Sequence, residues 1–313
     1  MSEVLSKPQT APRPRVALAL GSGGARGLAH IGVIDALQQA GLEIIAVAGS
    51  SMGAVIGGIY ALGKLPTYRD WVCSLDRVDV LRLLDWTLTG PGFIKGDRII
   101  KSLRALLGEA DIESLRIPFT AVAVDIDRQR EVWLARGRLF NAIRASIAIP
   151  TLFHPFEEED GRRLVDGGLL NPVPVTPLLR ERYDYLMAVT LDGPGEVNLQ
   201  EFAKPSHKEK SSKHKRRLPA RVHHLFTEWY PGNEHHDVQN QLGRFGLSVA
   251  AMELMQANLA RLKLAVHRPD LVIEIPLSSC SSYEFYRATE LIALGHAITK
   301  RALREANIGS AVV

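Results

Sequence analysis

The 313-residue chain has 46% hydrophobic and 23% charged side chains and a formal charge of +4. This is the balance of a soluble globular protein with ample apolar material for a core. No window holds about 18 uninterrupted apolar residues, and the first fifteen residues lack an apolar signal-peptide core; both observations argue against membrane insertion or export and for a cytoplasmic protein. Cys73 and Cys280 have no CxxC spacing and read as reduced packing residues.

Residues 1–14 read as a flexible tail. Arg15–Leu20 is a short apolar run that breaks at Gly21, as a buried parallel strand does. The spacing of Ile31, Ile34 and Leu37 then predicts a helix over Leu28–Ala40, closed by Gly41. Ile44–Ala48 reads as a second strand, and Met52–Leu62 as a helix that starts abruptly. This order forms a βαβ unit. Further strands are expected at Phe119–Asp125, Glu131–Leu134, Tyr185–Leu191 and Leu271–Ile275. Helices are expected at Leu139–Ile147, Leu247–Val266 and Tyr283–Glu305. In Leu247–Val266 the periodic positions are Leu247, Ala251, Leu254, Asn258, Leu262 and Ala265. The pattern fails over 193–243, which reads as a basic, mobile insertion in an α/β domain spanning 15–305; 306–313 reads as a C-terminal tail.

Two motifs carry chemistry. Gly49-Ser50-Ser51-Met52-Gly53 is a G-x-S-x-G stretch between a strand and a helix of small residues. That is the setting of a nucleophile elbow, where Ser51 stands at the apex of a turn too tight for large neighbours. The competing reading is an ordinary strand-to-helix turn with Ser51 as helix N-cap. The second motif, Gly21-Ser22-Gly23-Gly24-Ala25-Arg26-Gly27, presents backbone N–H groups at a helix start and is suited to an anion, either a cofactor phosphate or an oxyanion. A dinucleotide site fits poorly. Arg26 stands where its third glycine belongs, and no acidic residue closes the second strand.

A serine nucleophile needs a base. Of ten histidines, only His30, His154, His267 and His296 lie in regular segments, and none follows a late strand. Asp166, in Asp166-Gly167-Gly168, is either a simple turn residue or a carboxylate able to take a proton once partly desolvated.

The glycine-rich loop, the Gly49–Gly53 elbow, the stretch Ala145-Ser146-Ile147-Ala148-Ile149-Pro150 and the Asp166-Gly167-Gly168 turn occur in an order that resembles patatin-like phospholipases, the small bacterial members above all. The resemblance covers about residues 15–191. It implies a three-layer α/β/α sandwich with a mostly parallel central sheet. It implies a Ser51–Asp166 dyad without a catalytic histidine, and an oxyanion hole from the amides around Gly23, Gly24 and Ala25, with Arg26 matching the family's arginine. Gly49 and Gly53 flank the nucleophile, and Gly167 and Gly168 follow the base. The implied reaction is hydrolysis of lipid acyl esters (phospholipase A, lysophospholipase or esterase) with no metal or organic cofactor. A regulatory or binding protein on the same fold is the alternative. The Ala145–Pro150 stretch has no chemical role that its sequence reveals.

Lys204–Arg217 holds seven cations and one acid, so the basic character of the chain belongs to this segment. With Leu225, Phe226, Trp229 and Tyr230 nearby, it reads either as a solvated loop or as a contact for an anionic membrane surface, which would place the protein peripherally at the inner membrane. Nucleic acid is not expected, because no binding module accompanies the charge. The pairs His223-His224 and His235-His236 lack the carboxylate or cysteine pattern that would fix a metal.

Overall fold

Alternation along each strand decides which layer it faces. In β1 (Arg15–Leu20), Val16, Leu18 and Leu20 join a large apolar cluster on one side of the sheet, while Ala17 and Ala19 face the other side. The computed structural model describes residues 13–85, 87, 92–202 and 244–309. The bulky side is covered by α1 (Ala29–Gln39), α2 (Met52–Ala61) and the C-terminal helix, called α8 (Ala288–Glu305). The alanine side lies under Val173, Val175, Leu178 and Ala260, the last on the long helix α7 (Arg244–His267). Small residues on that side let the covering chain approach closely.

The other strands are β2 (Glu43–Ser50), β3 (Gly92–Ile94), β4 (Phe119–Asp125), β5 (Arg130–Leu134), β6 (Thr151–Phe153), β7 (Phe156–Glu157), β8 (Arg163–Asp166), β9 (Tyr185–Gly193) and β10 (Leu271–Pro276). The main sheet runs β10-β9-β1-β2-β4-β8-β7, with β5 also on β4; β3 and β6 form a separate parallel pair. The pairings from β10 through β4 are parallel, and those of β4 with β5, β4 with β8 and β7 with β8 are antiparallel. Between β2 and β4 lie α3 (Leu65–Ser74), α4 (Arg77–Leu83) and α5 (Asp97–Leu107), and α6 (Leu139–Ser146) follows β5. The sheet is thus a mostly parallel one flanked by helices.

Two features of this topology position the site. β1 is the switch point, since the chain moves from it to β2 on one side and later strands add on the other. In open α/β sheets, ligands bind outside the carboxyl ends at such a point. The second feature is a seam. β5 and β8 both pair with β4 at residues 123–125, so they occupy opposite edges; β2 and β5 both pair with it at 121–122, so they too are opposite. β2 and β8 therefore share one edge of β4 and meet there end to end, with Ser50 opposite Val122 and Asp166 opposite Ala123.

Most of the 193–243 stretch, including Lys204–Arg217 and the His223-His224 and His235-His236 pairs, lies outside the described residues. The described chain extends past Gly193: Leu199 is buried in a 3-10 turn over Leu199–Phe202. Among the described residues, no helix is long and apolar enough to cross a membrane.

Candidate active site

The strand-to-helix turn at Ser51 is strained. Its φ of 54° and ψ of −123° lie where residues other than glycine rarely sit. Crowding dictates the two flanking glycines. A Cβ on Gly49 would lie 2.3 Å from the Gly53 carbonyl, and one on Gly53 would lie 2.0 Å from the Leu20 carbonyl oxygen. The helix start is pressed against the end of β1 and against its own incoming strand, as an elbow requires. Ser51 makes no side-chain N-cap hydrogen bond, so the capping alternative fails. Its neighbour Ser50 is fully buried, and its Oγ donates to the Asn171 carbonyl at 2.6 Å.

Asp166 ends β8 and is 1% exposed. Its Oδ1 accepts the Gly168 amide at 2.7 Å. Burial pushes its pKa up to about 6, while the Ser51 hydroxyl and the Gly168 amide pull the other way. The serine is close enough to act on the carboxyl, yet Oδ2 has no partner in good hydrogen-bond geometry among the described residues. Such contacts commonly tighten only around a substrate. Gly167 sits where a Cβ would be 2.1 Å from the Val122 carbonyl oxygen, so the turn after Asp166 packs directly on β4.

The Ala145–Pro150 stretch acquires a role. Ser146 Oγ accepts the Ser51 N–H at 3.0 Å, and the Ala148 carbonyl accepts the Asp166 N–H at 2.9 Å. One short segment fixes the backbone of both residues. Its sequence signal was a serine among apolar neighbours at a helix end, which carries no chemistry by itself.

The glycine-rich loop follows β1. The amides of Gly21 and Ser22 are donated to the carbonyls of Val189 and Pro172, and that of Ala25 to Ser282. The Ala25 amide is therefore not available for an oxyanion, which corrects the expectation for that residue. The amides of Gly23 and Gly24 have no backbone acceptor among the described residues, and both glycines line the pocket beside Ser51. Gly24 has φ 57°, and a Cβ there would meet the Ser282 carbonyl oxygen at 2.6 Å. Arg26 is 5% exposed; its guanidinium donates to the Cys280 carbonyl at 3.0 Å and pairs with Glu253 at 2.9 Å. It ties the loop to α7 and to the segment after β10.

None of His30, His154, His267 and His296 lines the pocket that holds Ser51. His30 is fully buried beneath the glycine loop, where its Nε2 donates to the Gly21 carbonyl at 2.9 Å. Burial pushes its pKa down to about 4, so it is a neutral structural histidine. Among the described residues no cluster of His, Cys, Asp or Glu is arranged to hold a metal ion.

The pocket is apolar away from the pair. Trp71, Val72, Leu75, Val80, Ile99 and Leu103 from α3, α4 and α5 form one wall. Sequence reading assigned no element to this region. Glu253 and Gln256 of α7 and Asp192 of β9 add polar groups on the other side. Burial, with Glu274 nearby, raises the Asp192 pKa. These three residues had no motif to announce them.

Fold and site together define an α/β protein with a strained serine elbow beside a buried carboxylate, at the carboxyl ends of a largely parallel sheet. The chain belongs to the patatin-like phospholipase family, whose family model matches residues 18–179. It is 38% identical to an uncharacterized NTE family protein of Mycobacterium tuberculosis, over 93% of this chain and 91% of that one. It is 31% identical to a lysophospholipase of Emericella nidulans over 56% of this chain and 12% of that protein. The crystal structure of VipD from Legionella pneumophila aligns over 95% of this chain and 68% of that chain, with a TM-score of 0.46 and 14% identity.

Proposed function

We propose that the protein is a serine acyl hydrolase that cleaves lipid esters through Ser51 and Asp166. The observation that carries this reading is the pair itself. A serine on a strained elbow and a buried carboxyl with pKa about 6 face one apolar pocket, and no histidine is among the described residues that line it. Family membership and the name of the Emericella relative support lipid as the substrate class.

Asp166 takes the Ser51 hydroxyl proton as Oγ attacks the ester carbonyl. The Gly23 and Gly24 amides receive the negative charge on the carbonyl oxygen, each well-placed donor contributing about 3 kcal/mol. The carbonyl re-forms, the C–O bond breaks, and the alcohol leaves with the proton from Asp166. Water, deprotonated by the same carboxylate, then releases the fatty acid and restores Ser51. The acyl chain occupies the wall built by α3–α5, and the alcohol part lies toward Glu253, Gln256 and Asp192. No step requires a metal or organic cofactor.

A fluorophosphonate probe tests this. Labelling at Ser51, absent in Ser51→Ala, together with release of fatty acid from lysophospholipid, is the expected result. An unlabelled Ser51 in folded protein would leave a regulatory or binding role on this fold.

A further inference from the structure

Gly168 does not have the left-handed backbone that would call for glycine. Crowding calls for it instead. A Cβ there would lie 3.0 Å from Asp166 Oδ1, 3.0 Å from Ser22 Oγ and 3.1 Å from Gln256 Nε2. Polar atoms from the end of β8, from the glycine loop and from α7 thus surround one point, and all three residues line the pocket with Ser51. Their hydrogen bonds are only half made. Ser22 Oγ donates to Gln256 Oε1 at 3.3 Å, which leaves the Gln256 amide N–H groups on the other side of the side chain. Among the described residues, Ser22 Oγ accepts from no donor and Gln256 Nε2 finds no acceptor. Asp166 Oδ1 is taken by the Gly168 amide, and Oδ2 is open. Glu253, the other polar side chain that α7 brings to the pocket, is committed to Arg26 and Ser282.

We propose that Ser22 and Gln256 hold the water that releases the acyl group, a role that rests on the Ser51–Asp166 reading above. In the first half of that reaction the attacking hydroxyl is tethered to the chain, and the elbow aims it. In the second half the hydroxyl belongs to a free water, which no covalent bond aligns. Release mirrors attachment with water in place of the alcohol, so the water must lie where the alcohol oxygen left. Gln256 stands on that side of the pocket. The water donates one hydrogen bond to Asp166 Oδ2 and the other to Ser22 Oγ, and it accepts one from Gln256 Nε2; its second lone pair faces the acyl carbon. As the new C–O bond forms, Asp166 takes the first proton. The oxyanion then collapses, the bond from the acyl carbon to Ser51 Oγ breaks, and the proton passes from Asp166 to Oγ. Fatty acid and free serine result, with no other reactant. Both partners are neutral, so they fix the water without adding charge beside Asp166. Alignment of this kind is worth up to about a hundredfold in rate.

The test is burst kinetics on p-nitrophenyl butyrate with the full chain, comparing the parent with Ser22→Ala, Gln256→Leu and Gln256→Glu, each checked by thermal unfolding. The fast phase reads attachment of the butyryl group and the slow phase its release, while mass spectrometry reads the acyl group on Ser51. Release should slow by at least about tenfold in all three variants, and attachment by much less. The acylated serine should accumulate, with kcat and KM falling together. Gln256→Glu keeps the length of the side chain and loses the donor, so it separates water holding from packing even where Gln256→Leu folds poorly. Release at the parent's rate in folded Ser22→Ala or Gln256→Glu overturns the assignment. An equal loss in both phases without accumulation also overturns it, and makes the two residues general supports of the pocket. A parent that never acquires an acyl group on Ser51 removes the hydrolase reading, and this assignment with it. A parent that turns over normally beside unaffected variants removes the water site alone.

Discussion

Ser146 holds Ser51: its Oγ accepts the elbow N–H at 3.0 Å and donates its own proton to the Val122 carbonyl at 2.6 Å. The hydroxyl is fully buried and its two hydrogen bonds leave it no freedom to rotate. Ser146→Ala should therefore cost about 2 kcal/mol or more, since a buried donor and a buried acceptor both lose their partner. The elbow would then be free to relax, so kcat should fall while KM changes little. Thermal unfolding with steady-state kinetics on one ester checks both parts. Normal kcat in a folded variant would reduce Ser146 to a packing residue.

The backbone strain at Ser51 gives a second test. Ser51→Ala and Ser51→Gly should both be inactive and unlabelled by fluorophosphonate. They should differ in stability, because glycine accepts φ 54° and alanine does not. The glycine variant should be about 1 kcal/mol more stable than the alanine variant, although glycine also loosens the unfolded chain. Denaturant melts of the two proteins give the comparison. An alanine variant as stable as the glycine one would mean that the turn is unstrained.

Asp166 predicts both a pH profile and a trade-off. Activity should rise through about pH 6 as the carboxyl ionises and hold level above it. Its folded pKa lies above the ordinary value of 3.8. The folded state therefore binds the proton more tightly, and stability declines as pH rises from about 4 to about 6. Asp166→Asn should abolish activity, yet at pH 7 to 8 it should be more stable than the parent by up to about 3 kcal/mol, an advantage that vanishes at low pH. Melting curves at several pH values measure it. An Asn variant that is less stable at every pH would contradict the assigned desolvation. Replacing His30, His154, His267 or His296 singly should leave the profile in place.

The Arg26–Glu253 pair couples the glycine loop to α7. Arg26→Met should destabilise by about 1–3 kcal/mol, less than a fully buried pair, because the Glu253 side chain is 31% exposed and water screens it. In a Glu253→Gln background the same change should cost less, since no unpaired carboxylate remains. A double-mutant cycle in urea reads the difference, and equal costs in the two backgrounds would show that the ion pair contributes nothing.

The sheet was largely legible because its strands obey short-range rules. Arg15–Leu20 is bounded by its own apolar run and by Gly21, and the structure ends β1 at the same residues. β2 extends beyond the expected Ile44–Ala48 to Ser50, because pairing with β4 holds Gly49 and Ser50 where local propensity does not. Ser51 and Asp166 were marked by glycines, which record close backbone approach. α3 to α5 left no such mark: Ile100, Leu103 and Leu107 bury one face of α5, but a pocket wall and an ordinary core face look alike in sequence. α7 was legible as a helix, and the structure extends it over Arg244–His267. Periodicity announces a helix and an apolar face, but it cannot say which way that face looks, and here the small residues went inward. The C-terminal helix begins at Ala288, five residues later than the expected Tyr283, after a 3-10 turn at Phe285–Arg287.

The seam on β4 also decides when the two proposed catalytic residues can meet. Ser51 is placed by a parallel strand made early in synthesis, whereas Asp166 arrives only when a later strand closes the gap from the opposite direction. A chain released from the ribosome only as far as residue 160 contains Ser51 but not Asp166, its proposed proton acceptor. If the proposed chemistry holds, an unfinished polypeptide would thus carry a dormant serine, and hydrolysis would switch on only once the fold is nearly complete.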